Sequence, residues 1–107
     1  KIILGHFGET LPFLMWRIDM ALKRPGQKAL SFRDVFSRNF YLTTSGFFSD
    51  PALLCCVMEM GVDHILFAID WPFVDNRPGV DWLASVPLSD EDKRKIASGN
   101  AERVLKI

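Results

Sequence analysis

Three short apolar runs alternate along the chain with longer stretches whose apolar residues recur at helical spacing. The first run, IIL at positions 2–4, is closed by Gly5, which predicts a fully buried strand ending near His6. The stretch TLPFLMWRIDMALKRPG reads as a helix of about three turns that stops at Pro25-Gly26. Between Gln27 and Asn39, SFRDVFSRN sets Ser31 three residues before Asp34, the spacing of a capped short helix. FYLTTSG, rich in aromatic and β-branched residues and ended by Gly46, predicts the second strand. In DPALLCCVMEM, Asp50 at the cap, Pro51 in the first turn and Gly61 after the end predict another helix. The third strand runs from about His64 to Asp70, and Trp71-Pro72-Phe73 then turns the chain. A looser helix follows around positions 80–85. Ser89 caps a turn with an acidic start and a basic end, as the helix dipole favours, and Asn100 is expected to cap the last helix, AERVLKI.

Strand, helix, strand, helix, strand, helix with wholly apolar strands is the grammar of a parallel α/β sheet. If all three strands point the same way, His6, Ser45 and Asp70 gather at their C-terminal ends, the edge where parallel α/β folds bind ligands. His64 begins a strand and belongs at the opposite rim, so it is read as structural.

Composition narrows the function classes. An apolar fraction of 49% and a charged fraction of 24% describe a globular domain. Thirteen Lys and Arg balance thirteen Asp and Glu, so no overall field gathers nucleic acid or an anionic membrane. The longest apolar stretches fall short of the roughly 20 residues that cross a bilayer, and a cytoplasmic setting is expected. Cys55 and Cys56 are adjacent in an apolar helical run, where neighbouring thiols rarely reach disulfide geometry; buried, reduced thiols are expected. The chain opens at Lys1 directly into an apolar run, which suggests a segment of a longer protein.

Asp70 is the most conspicuous polar residue, because an ionised carboxylate closing a greasy segment needs a cation, a proton or a set of donors to meet it. Backbone donors of the following loop would suffice, and so would a metal. His6, flanked by Gly5 and Gly8, is either held by backbone or placed for proton transfer near neutral pH. Glu9 suits a helix start and could equally orient His6. Arg17, between Trp16 and Ile18, is either a surface cation or a guanidinium that reaches over the strand ends to a carboxylate. Phe73, just past Asp70, could wall a pocket for a flat substrate.

Taken together, LGHFGETLPFLMWRID, YLTTSGFFSDPAL, GVDHILFAIDWPF and ASGNAERVLKI resemble the C-terminal part of the metal-dependent decarboxylase branch of the amidohydrolase superfamily. Within it they are most similar to the gamma-resorcylate and dihydroxybenzoate decarboxylases, because Glu9 follows the His-x-Gly element and the last strand reads Asp-Trp-Pro-Phe. The resemblance implies a (β/α)8 TIM barrel of which residues 1–107 are the C-terminal segment of one domain. It implies a divalent metal, zinc or manganese, at the C-terminal edge, and non-oxidative removal of carbon dioxide from a small hydroxylated aromatic acid. It also implies a homo-oligomer, a dimer or tetramer.

By the same resemblance Asp70 is the carboxylate metal ligand that also hands a proton to the ring. His6 and Glu9 act beside the substrate, and Arg17 and Phe73 are the pocket's cation and aromatic wall. The family's other ligands, a Glu-x-His element on the first strand and a His on the fifth, have no counterpart in this chain. One carboxylate is too few for zinc, which takes about four ligands, and the three strands expected here are too few for a barrel of about eight. Two alternatives remain open: a hydrolase or hydratase on the same barrel, and a segment inactive without its missing ligands.

Overall fold

The computed structural model describes residues 1–26 and 28–107. Strands β1 (Ile2–Leu4), β2 (Phe40–Thr43) and β3 (Ile65–Leu66) form a parallel sheet in the order β1-β2-β3. Leu4 faces Leu42 and Leu42 faces Ile65, so the register sets these three residues in one row across the sheet. Leu42 and Ile65 are buried in that row against Met15, Leu53, Cys56, Met60 and Ile96 from the helices. Burying each such side chain fully contributes about 1.5–3 kcal/mol, and the row fixes the register because a one-residue slip would turn it to the other face.

Helices α1 (Leu11–Leu22) and α2 (Phe32–Asn39) connect β1 to β2, and α3 (Asp50–Met60) connects β2 to β3. Ser31 caps α2, its Oγ accepting from the Asp34 N–H at 3.1 Å. The cap of α3 is Ser49 rather than Asp50, whose carboxylate accepts the Trp82 indole N–H at 2.8 Å instead. Helix α4 (Asn76–Ser85) begins several residues before the expected start. Pro78 lies in its first turn, where the missing N–H has no intrahelical partner to lose, so the Pro-Gly pair reads as a loop signal without breaking the helix.

Helices α5 (Asp90–Arg94) and α6 (Asn100–Leu105) are joined by a wide turn over Lys95–Gly99. Asn100 is therefore no cap: Gly99 before it is already helical, at φ −56 and ψ −38. The buried Asn100 amide donates instead to the carbonyls of Val62 and Ile65, both at 2.8 Å, and ties the last helix to the start of β3. The Phe67 N–H donates to the Ile96 carbonyl at 2.9 Å on the same side. At the N-terminal rim His64 donates to the Phe40 carbonyl at 2.8 Å and stacks on Tyr41.

β2 and β3 are shorter than their sequence patterns predict, for a reason that bears on the site. Past Thr43 the two segments stay side by side, but the Thr44 hydroxyl replaces backbone in the ladder, donating to the Ala68 carbonyl at 2.7 Å and accepting its N–H at 3.0 Å. Among the described residues, no helix is long and apolar enough to cross a membrane.

Candidate active site

The chain leaves β1 into a single turn, His6–Gly8, in which His6, Phe7, Gly8 and Glu9 all have positive φ, between 49° and 69°. For a residue with a Cβ this conformation costs about 1–2 kcal/mol, so packing must impose it. Gly8 is the tight point: a Cβ there would stand 2.9 Å from Leu42 Cδ2, inside the core row. Asp70, at the end of the segment that leaves β3, also has positive φ, 81°. Its carbonyl accepts the N–H groups of Phe73 and Val74, which closes the turn after it.

These two strained turns meet. His6 Nδ1 lies 3.0 Å from Glu9 Oε1, and His6 Nε2 lies 3.5 Å from Asp70 Oδ2. The imidazole thus has a carboxylate oxygen at each ring nitrogen, and only the imidazolium can donate to both. Asp70 is about one-third exposed, at 33%, so an outside group can still reach it. Beside His6, Leu4, Gly5, Gly8, Glu9 and Leu11 line a depression of about 310 Å³. The arrangement can hold a proton at His6 or Asp70 and offers a hard oxygen donor to a cation or to a substrate hydroxyl.

Other expected members stand apart. Arg17 is exposed on α1 and forms no ion pair with Glu9 or Asp70 among the described residues. Phe73 follows Asp70 closely, but the residue is 85% exposed and walls no pocket among the described residues. Ser45, expected at the same edge, shares a hydrogen bond with Thr43, the hydroxyl oxygens being 2.7 Å apart. Residues that the sequence did not single out matter more. Thr44 is buried, and the Gly46 N–H donates to the Ile69 carbonyl at 3.0 Å, so both hold the segment that delivers Asp70.

Cys55 and Cys56 are free thiols, Cys56 buried and Cys55 partly so. Burial, with the neighbouring Cys55 a smaller cause, pushes the Cys56 thiol up to about 12, and burial followed by the Glu59 carboxylate raises Cys55. Both shifts disfavour the nucleophilic thiolate at neutral pH, most strongly at Cys56.

Among the described residues, no group of three or more His, Cys, Asp or Glu side chains is gathered as a metal cage. A divalent metal would fit this donor set only as a shared site, to which Asp70 could bring one carboxylate oxygen.

Comparison with known proteins gives this edge a context. The chain is 43% identical over 114 residues to gamma-resorcylate decarboxylase of Polaromonas sp. strain JS666, an alignment covering all of this chain and 34% of that protein. It also matches a crystal structure of 2,6-dihydroxybenzoate decarboxylase complexed with 2,6-dihydroxybenzoate, with a TM-score of 0.90 and 41% identity over 100% of this chain and 35% of the other. A third relative, dihydroxybenzoic acid decarboxylase from Polaromonas sp. JS666 with bound manganese and the inhibitor 2-nitroresorcinol, gives a TM-score of 0.90 and 45% identity over 99% of this chain and 33% of that one.

The chain thus spans about a third of the length of these relatives, and its parallel sheet and helices are a partial TIM barrel. The amidohydrolase family model matches residues 1–107. With family model and fold in agreement along its whole length, this chain belongs to the amidohydrolase family.

Proposed function

We propose that the complete protein is a metal-dependent, non-oxidative decarboxylase of a hydroxylated aromatic carboxylic acid. The observation that carries the reading is the meeting of Glu9, His6 and Asp70 on two strained turns at the C-terminal edge of the sheet, with separations of 3.0 and 3.5 Å. Backbone strain of this kind persists where surrounding structure over-determines it, and it clusters at functional sites. The relatives' names support the substrate class, and a relative with bound manganese favours manganese over zinc.

In this reading Asp70 would be one ligand of the metal, the others coming from outside these residues. A bound divalent cation would offset the negative charge of the substrate carboxylate and help fix its orientation. Asp70 delivers a proton to the ring carbon that bears the carboxylate. The electron pair of the carbon–carboxylate bond then returns to the ring, and carbon dioxide leaves. His6 Nε2, facing Asp70 Oδ2, is placed to return a proton to that oxygen, and Glu9 keeps the imidazole ring turned toward it. Arg17 and Phe73 remain in the reading as substrate-binding groups that act once the rest of the pocket surrounds them.

The test is the complete, manganese-loaded protein given 2,6-dihydroxybenzoate. Resorcinol and carbon dioxide are the expected products, and Asp70→Asn should lower kcat by roughly 10²–10⁴. Hydrolysis or hydration products from a related compound, without carbon dioxide, would move the assignment to a hydrolase or hydratase. Near-normal turnover in Asp70→Asn would remove Asp70 from the mechanism.

A further inference from the structure

We infer that Thr44 is a positioning residue for Asp70. Its side chain is fully buried, and its single hydroxyl takes both backbone groups of Ala68, donating to the carbonyl at 2.7 Å and accepting from the N–H at 3.0 Å. The Thr44 N–H donates to the Leu66 carbonyl at 3.1 Å, and two residues on the Gly46 N–H donates to the Ile69 carbonyl at 3.0 Å. Leu66, Ala68 and Ile69 are thus pinned in turn to the segment leaving β2, at the point where the strand ladder has ended.

Asp70 comes directly after this clamp, in a left-handed conformation that an unsupported Asp would leave. The clamp holds it from upstream and the Phe73 and Val74 N–H groups hold it from downstream. Gly46 completes the fit, because a Cβ there would stand 3.2 Å from Asp70 Oδ2 and crowd the oxygen that faces His6. A β-branched hydroxyl residue suits position 44: the branch fits an extended backbone and the hydroxyl supplies a donor and an acceptor from one atom.

The inference deepens the proposed decarboxylase site and rests on that reading for its catalytic consequence, but the clamp itself is tested without activity. Thr44→Val keeps the shape and loses the hydroxyl, whereas Thr44→Ser keeps the hydroxyl. In the complete, metal-free protein, Thr44→Val should speed amide hydrogen exchange at Ala68 by about tenfold or more, and Thr44→Ser should stay near wild type. With manganese, Thr44→Val should lower kcat per bound Mn²⁺ by about tenfold with KM little changed, since a misplacement of about 1 Å can cost as much as 10²-fold in rate, and Thr44→Ser should recover it.

If Thr44→Val does not fold, Thr44→Ala read against Thr44→Ser carries the second test, with the same faster exchange at Ala68 and the same loss in kcat per bound Mn²⁺ expected. Unchanged exchange at Ala68 would overturn the clamp. A drop in melting temperature with kcat per bound Mn²⁺ unchanged would reduce Thr44 to a structural role and overturn the inference. A wild-type protein that releases no carbon dioxide would instead defeat the decarboxylase reading, and the exchange result alone would then decide the clamp.

Discussion

Replacing Asn100 by Ala removes one amide from a buried position and takes the donor away from two carbonyls at once. Asn100 is 1% exposed, its Nδ2 donates to the Val62 and Ile65 carbonyls at 2.8 Å each, and its Oδ1 accepts from Arg103 at 3.2 Å. The Val62 carbonyl keeps the Ile65 N–H that also donates to it, so the cost of an orphaned buried acceptor, about 1–3 kcal/mol, falls mainly on the Ile65 carbonyl, and water entering the small space left by the truncation recovers part of that. The expected loss is therefore about 1–3 kcal/mol, read as a lower midpoint in equilibrium urea unfolding of the metal-free complete protein, with the slope unchanged. Asn100→Asp separates bonding from packing, because it keeps the volume but turns an acceptor toward two carbonyls. It should cost more than Asn100→Ala. A loss below about 0.5 kcal/mol for Ala, or an Asp variant no worse than Ala, would refute the view that these two bonds fasten the last helix to β3.

Further outcomes follow from packing and charge. Gly79→Ala would set a Cβ 2.5 Å from Ile69 Cδ1 and 2.6 Å from Phe48 Cζ, so urea unfolding should register a loss of about 1–3 kcal/mol, partly relieved by Phe48→Leu in the same chain. Glu9→Gln retains an oxygen that accepts from His6 Nδ1 whereas Glu9→Leu does not; kcat should fall by less than about tenfold for Gln and by about 10²-fold for Leu, and equal losses would show that Glu9 does not act by orienting the ring. In the folded protein at pH 8, iodoacetamide followed by mass spectrometry should leave Cys56 unmodified and label Cys55 more slowly than a free thiol. Because the Cys56 thiol is raised from 9.0 to about 12 by folding, the unfolded chain binds fewer protons in that window and stability should decline as pH rises through it.

The helices and the order of the strands were legible in the sequence because each rests on local chemistry. Ser31 with Asp34 marks a cap and Gly61 marks a helix end whatever the rest of the chain does. Site positions were legible for a topological reason: parallel strands send His6 and Asp70 to one edge. What could not be read depends on contacts distant in sequence. The ends of β2 and β3 are set by a hydroxyl that binds 24 residues away, and strand propensity is blind to that exchange.

Asn100 looks like a cap by residue type, yet it is recruited by carbonyls 35 and 38 residues earlier. Pro78-Gly79 looks like a loop, yet the proline sits harmlessly in a first turn and the glycine is needed where Phe48 and Ile69 press on the helix. The left-handed backbone at His6, Glu9 and Asp70 could not be located from residue type alone, since it sits among contacts distant in sequence, with Gly8 packed on Leu42 and Thr44 bonded to Ala68. Arg17 and Phe73 are exposed, and their expected roles depend on contacts not formed among the described residues.

The most direct test of the account is a Mn²⁺ titration of the complete protein followed by electron paramagnetic resonance, in wild type and in Asp70→Ala. Wild type should bind about one Mn²⁺ tightly per chain, and Asp70→Ala should weaken that affinity by at least about tenfold with the fold intact by circular dichroism. Equal Mn²⁺ affinity in the two proteins would contradict it, because Asp70 would then be a loop carboxylate satisfied by His6 and no ligand of the metal.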